Sequence, residues 1–287
     1  MGRSIAFYYG LFYGKVIRLI KLRKIMMQIN KDNLESINKE YWLNRAPGYS
    51  DVNKEELEGI QHRTWKEYLC GQISASFPDR APSDIKILDV GAGPGFISII
   101  LAEEGYNVTA FDFAHSMIEE AKKNAGALAD KINFIQGDAM NLPFEDESFD
   151  VVFSRNLTWN LPHPDKAYDQ WIRVLKAKGL MMVFDANWYT YLIDENKRKE
   201  YMKDRENVKL SSLEDYNIGA NFDTMEQIAF DMPLTHQNRP AWDVEYLNSI
   251  HAGSVSSVED IGSILYSEKE KINYCSTPMF LVKAVKG

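Results

Sequence analysis

Residues 87–95 read Ile-Leu-Asp-Val-Gly-Ala-Gly-Pro-Gly, and the apolar run Phe96-Ile97-Ser98-Ile99-Ile100-Leu101-Ala102 follows directly. The order is that of a buried strand, a glycine turn and a helix. Gly91 and Gly93 let the backbone turn tightly and approach a ligand, while the opening helical turn offers unpaired N–H groups to a polar or anionic one. The spacing is G-x-G-x-G, which turns that bind nothing also show. The sequel gives it meaning: a second strand over residues 106–111 ends in Asp112, at the distance from Gly91 expected of an acid that accepts from two ribose hydroxyls.

Nicotinamide dinucleotides and S-adenosylmethionine share this arrangement. Asp89, inside the first strand, leans toward the second, because a carboxylate beside the turn suits a cationic ligand end and repels a pyrophosphate. Its alternative role is a structural acceptor for loop N–H groups. The chain also lacks a hydride-transfer set such as Tyr-x-x-x-Lys.

Four segments then stand in order: ILDVGAGPG (87–95), FDFAHSMIEEAKKNA (111–125), INFIQGDAMNLPFEDESFDVVFS (132–154) and WIRVLKAKGLMMVFDAN (171–187). Together they resemble the class I S-adenosylmethionine-dependent methyltransferases, of the type that includes the ubiquinone- and menaquinone-biosynthesis C-methyltransferases. The resemblance implies a doubly wound, Rossmann-like α/β fold: a mostly parallel seven-stranded sheet whose last strand is antiparallel. It implies S-adenosyl-L-methionine as cofactor, with Phe113 and Met117 bordering the adenine and Asp138, beside Ala139, accepting from its exocyclic amine. A turn-forming role after Gly137 competes for Asp138. The resemblance also implies a lid folded over the cofactor from the region before the domain, with Trp42 and Tyr49 as candidates. Both could equally anchor their helix through apolar area.

With 287 residues, 45% of them hydrophobic, the chain can bury one large core or a domain with a sizeable insertion. A formal net charge of −8 argues against a nucleic-acid partner and for a small-molecule acceptor. Cys70 and Cys275 have no paired spacing, and the five histidines form no H-x-x-x-H pair, so neither a disulfide framework nor a metal site is expected and the cytoplasm is the default location. Residues 1–31 carry seven basic side chains and no acid among apolar ones. Three roles are open to them: a membrane-surface helix, which is not the expected one; a helix packed on the domain or a partner; or a segment upstream of a start at Met26 or Met27. Oligomeric state is not legible.

The expected organisation is an N-terminal helical segment and lid over 1–50, the cofactor-binding core over 51–191, a helical cap over 192–240 and a return to the sheet over 241–287. The first helix is expected to end at Pro47-Gly48, and a second to run from Glu55 to Ser76. The helix that includes Trp171 is expected to reach Lys178-Gly179, with a strand over 180–184 after it. Ligands of open parallel sheets bind outside the carboxyl ends of strands. Arg155 and Asn156, ending the fourth strand, therefore face the methyl donor, and Trp159 is a candidate acceptor wall or a cap on the core. Trp188 and Tyr189, beyond the fifth strand, form a second aromatic wall, and Trp42 can close on the same space.

His163, in Asn160-Leu161-Pro162-His163-Pro164, is the candidate general base if the acceptor needs one, since imidazole titrates near neutrality. The competing role is a solvent-facing turn residue between prolines. The leading function is methyl transfer to a small acceptor. The alternative is a non-catalytic S-adenosylmethionine-binding sensor or partner subunit.

Overall fold

Strands that are apolar almost throughout must be covered on both faces, and that requirement builds the molecule. The computed structural model describes residues 33–217 and 222–287; the basic segment 1–31 lies outside the described residues. β1 (Lys86–Val90), β2 (Asn107–Asp112), β3 (Ile132–Gln136), β4 (Phe149–Arg155) and β5 (Leu175–Asp185) are mutually parallel, and β6 (Ser254–Val258) and β7 (Phe280–Val285) extend the sheet. Its order is β3-β2-β1-β4-β5-β7-β6, with β7 antiparallel to both neighbours. Ile87 pairs with Val108 on one side and Val151 on the other.

The helices are α1 (Leu34–Glu58), α2 (Ile60–Ser76), α3 (Phe96–Glu103), α4 (His115–Ala125), α5 (Pro164–Val174), α6 (Glu195–Leu210), α7 (Phe222–Asp231) and α8 (Ala241–Ser249), with two short ones before β7. Successive strand residues point to opposite faces, so the core divides in two. Ile87, Val108, Val151, Phe153 and Phe184 meet Trp65, Leu69 and Ile73 of α2 and the apolar stripe of α3. Leu88, Val90, Val152 and Val183 meet Tyr168 and Trp171 of α5 and Leu247 of α8. Each such side chain contributes about 1.5–3 kcal/mol by leaving water.

Three local expectations are corrected. α1 does not stop at Pro47 but continues to Glu58, so a boundary at residue 50 falls inside it. A proline inside a helix removes the hydrogen bond to the carbonyl four residues earlier, which here belongs to Leu43. That carbonyl is taken by the Ser116 hydroxyl of α4, 3.0 Å away. The real break is Gly59, in extended conformation, after which α2 begins at Ile60 rather than Glu55. Finally, α5 ends at Val174 and β5 starts at once, five residues before the expected strand. Lys286 secures its first turns, donating through its side chain to the Leu175 carbonyl at 2.7 Å and accepting from the Lys178 N–H at 2.9 Å.

Candidate active site

At the end of β1 the chain must reverse against β4, and Gly91 makes this possible. Its φ is +73°, and a Cβ there would lie 2.7 Å from Leu157. Gly93, at φ +53°, has no heavy atom within 4 Å of that position, so the turn shows bare backbone to open space. Two buried acids flank it. Asp112 accepts from the Gly93 and Ala114 N–H groups, each at 2.9 Å, and Asp89 accepts from the Ser98 hydroxyl at 2.6 Å. Burial pushes the Asp112 carboxyl up to about 6 against those N–H donors. It pushes Asp89 up to about 7, opposed by Ser98 and reinforced by the charge of Asp112.

Helix α1 closes over this turn. Ala46 packs with Ala114 and Met117, and Trp42, Tyr49 and Phe113 surround them. Asn124 donates to the Ser50 hydroxyl at 3.1 Å and to the Pro94 carbonyl at 3.0 Å, tying α1 to the turn. Asn53 accepts from the first N–H of α3, that of Phe96, at 3.3 Å, which satisfies one of the donors a helix start leaves open. Its amide also donates to Glu56 at 3.1 Å. Glu56 forms an ion pair with Arg155, and the guanidinium lies over the rings of Trp65 and Phe96, 4.8 and 5.0 Å from their centroids. Burial works against the Arg155 charge, and Glu56 outweighs it, raising the pKa.

The aromatic walls are set by a second buried network. Asp185, at the end of β5, accepts from the Thr158 hydroxyl, from the N–H groups of Trp159 and Ala186 at 2.9 Å each, and from the Trp188 indole at 3.0 Å. Arg239 bonds Asp185 at 2.9 Å and Asp243 at 2.7 Å, and Tyr168 donates to Asp243 at 2.6 Å. So many charge-assisted bonds in a dry region fix the loop after β4 against the end of β5. Trp159 then stacks obliquely on Tyr189 with centroids 4.9 Å apart, and Trp42 comes in from the lid at 6.5 Å from Trp159 and 5.3 Å from Tyr49. Burial drives the Tyr49 and Tyr189 hydroxyls upward, so both are neutral hydrogen-bonding groups rather than bases.

Gly91, Gly93, Asp89 and Asp112 are thus together at the turn, Phe113, Met117, Tyr49 and Trp42 together under the lid, and Trp159 beside Tyr189. Other expected residues have different partners. Arg155 is committed to Glu56. Asn156, at φ +56°, gives its carbonyl to the Trp159 indole at 3.1 Å, while its Oδ1 is buried without a partner. Asp138 accepts from the Met140 N–H at 2.9 Å in a turn, and the Ala139 carbonyl takes the Trp171 indole at 3.0 Å. Trp188 stands edge-on to Tyr274, 5.1 Å away, and packs with Tyr189 against the cluster that holds Trp159. His163 is exposed at the start of α5 and is not brought to the aromatic walls. Sequence reasoning missed Asn53, Glu56, Arg239 and Asp243, each of which also bonds a residue far away in the chain: Phe96, Arg155, Asp185 and Tyr168. Among the described residues no group of three or more His, Cys, Asp or Glu is placed to hold a metal ion, and no helix is long and apolar enough to cross a membrane.

An open glycine turn, two buried carboxylates held by hydrogen bonds rather than salt bridges, and an orphaned Asn156 oxygen fit a ligand with a cationic end and hydroxyl groups. With the strand order and the antiparallel β7, they define the class I methyltransferase fold, whose cofactor is S-adenosylmethionine. Residues 88–183 match the family described as Methyltransferase domain. The ubiquinone/menaquinone biosynthesis C-methyltransferase UbiE of Roseobacter denitrificans is 37% identical over 144 residues, covering 49% of this chain and 55% of that protein. The demethylmenaquinone methyltransferase of Clavibacter sepedonicus is 38% identical over 146 residues, covering 49% and 59%. The chain therefore spans little more than half the length of these relatives. The solved plantazolicin methyltransferase BpumL shares the fold at TM-score 0.57 and 13% identity, covering 90% of this chain and 100% of that one.

Proposed function

We propose that the chain transfers the methyl group of S-adenosylmethionine to a small, largely apolar, planar acceptor seated between the lid helix α1 and the carboxyl ends of β4 and β5. The observation that carries this is the meeting of Trp42, Trp159 and Tyr189, from three separate elements, in one aromatic cluster. Such sites bury most of a ligand against aromatic and aliphatic walls and orient it with few polar groups. The relatives' names, which concern ubiquinone, menaquinone and demethylmenaquinone, favour an acceptor with an apolar ring system, and favour catalysis over cofactor sensing.

When bound, the cofactor supplies a methyl group on a cationic sulfur, already a strong electrophile. The protein's work is then alignment and exclusion of water. Asp112 retains lone pairs for ribose hydroxyls while holding Gly93, and Asp89 supplies negative charge near the cationic end. Tyr49, Phe113 and Met117 cover the adenine, and α1 seals the site.

The test is incubation of the full chain with methyl-labelled S-adenosylmethionine and a panel of phenols, naphthols and quinols. Label should move to an acceptor. Saturable cofactor binding with no transfer to any of them would support the sensor instead.

A further inference from the structure

Along α1, Leu34, Asn38 and Trp42 are spaced four residues apart and so share one face. That face packs into an apolar cluster with Trp159 and, from α7, Met225, Ile228, Ala229 and Met232. An asparagine is out of place there. It is only 7% exposed, and leaving a buried amide atom unbonded carries a desolvation penalty of about 1–3 kcal/mol.

The hydrogen bonds around Asn38 are incomplete in one direction. Its Nδ2 donates to the Asn160 carbonyl at 3.1 Å, which fixes the amide orientation and leaves Oδ1 buried with no partner. Asn160, itself 5% exposed, accepts from the Trp42 indole at 2.7 Å, which fixes its orientation too. The Nδ2 of Asn160 has only the Met225 sulfur, at 3.9 Å, a weak acceptor. Beside the aromatic wall there is thus one strong acceptor lacking a donor and one donor lacking a good acceptor. A hydroxyl satisfies both at once, because it donates one hydrogen and accepts through its lone pairs.

We infer that Asn38 and Asn160 are specificity-determining residues that clamp a hydroxyl on the acceptor, Asn38 Oδ1 accepting its hydrogen and Asn160 Nδ2 donating to its oxygen. The inference rests on the acceptor site proposed above. It gives α1 a second role, because the helix that covers the cofactor also reads the acceptor, and an acceptor with the matching group favours the closed lid. A site built to bond a hydroxyl discriminates strongly against the analogue without a donor, since its own groups are then left unpaired.

The test uses the full chain saturated with S-adenosylhomocysteine and two probes on one ring system, 1-naphthol and 1-methoxynaphthalene, titrated calorimetrically. The naphthol should bind at least about tenfold more tightly, the fold-change of a single buried hydrogen bond. Asn38→Leu should abolish that preference, the ether and S-adenosylhomocysteine being titrated alongside to show that the variant is folded and loaded. Asn160→Asp keeps the acceptor for Trp42 but removes the donor, and should weaken the naphthol selectively. Because the ether and the cofactor product serve as controls, lost folding cannot imitate the result. Equal binding of both probes, unaltered by either variant, would overturn the clamp and leave the acceptor site standing. Binding of neither probe to the loaded parent protein would overturn the acceptor site and the clamp with it.

Discussion

Asp89 and Asp112 are the residues on which the chemistry of the turn depends, and their raised proton affinities have a measurable consequence. Both are buried, and the free protein holds them protonated below about 7 and about 6. A cationic ligand prefers the ionised carboxylates, so binding below those values must release protons. Affinity for S-adenosylmethionine should be highest above pH 7 and fall as the pH drops through 6, by up to about tenfold per pH unit for each proton released. Calorimetry in buffers of different ionisation enthalpy would detect those protons directly; a flat affinity from pH 8 to pH 6 would show that neither acid senses the ligand. Folding has the opposite sign. A carboxyl whose folded value lies above its unfolded value near 3.8 favours the folded state at low pH, and this contribution is lost as the pH rises through about 7. Asp89→Asn should therefore gain stability over the parent between pH 4 and pH 8, read by urea unfolding. At the same scale, the exposure of His163 removes it from the walls, and His163→Gln should keep activity within about threefold, whereas a general base contributes about 10²–10⁴.

Helix α1 is held by pairs that join it to four other segments. The tightest is Glu56 with Arg155, whose side chains are 6% and 14% exposed. Breaking a buried pair by removing one partner leaves an uncompensated charge, so Arg155→Met should cost about 3–5 kcal/mol in denaturant unfolding, while the double variant Glu56→Gln, Arg155→Met should recover much of it. A single and a double variant of equal stability would mean that the pair is not buried as described. Ser116→Ala should cost about 0.5–1.5 kcal/mol by removing the hydrogen bond to the Leu43 carbonyl that Pro47 leaves free. These pairs also show why the lid was only partly legible. Trp42 and Tyr49 could be named because the resemblance implies a lid from the region before the domain, where both are large aromatics. Pro47 read as a helix stop because the Leu43 carbonyl it frees is bonded by a hydroxyl 73 positions from that carbonyl, and local propensity carries no trace of that. The same holds for Glu56 and Arg155, separated by 99 residues.

For the whole molecule, the sheet was the most legible part. Near-continuous apolar runs can only be strands covered on both faces, and the order of strand, glycine turn, helix and acid leaves little freedom in how the first half is wound. The acceptor side was less so, because it is assembled from α1, the loop after β4, the end of β5 and the cap, and its polar framework joins the Arg239–Asp243 pair to Asp185, 54 positions from Arg239. That division matches the proposed function: most of the proposed cofactor site falls within residues 89–117, and the proposed acceptor site is composed by the fold. Everything proposed for the molecule depends on this stretch binding S-adenosylmethionine through the glycine turn and Asp112. Calorimetric titration of the full chain, and of Asp112→Ala, with S-adenosylmethionine at pH 8 reads that binding without any acceptor. One saturable site per chain is expected in the parent, weakened in the variant by roughly 2–4 kcal/mol, the loss of two charge-assisted hydrogen bonds with imperfect additivity. No saturable heat from the parent, or equal affinity in the variant, would contradict it.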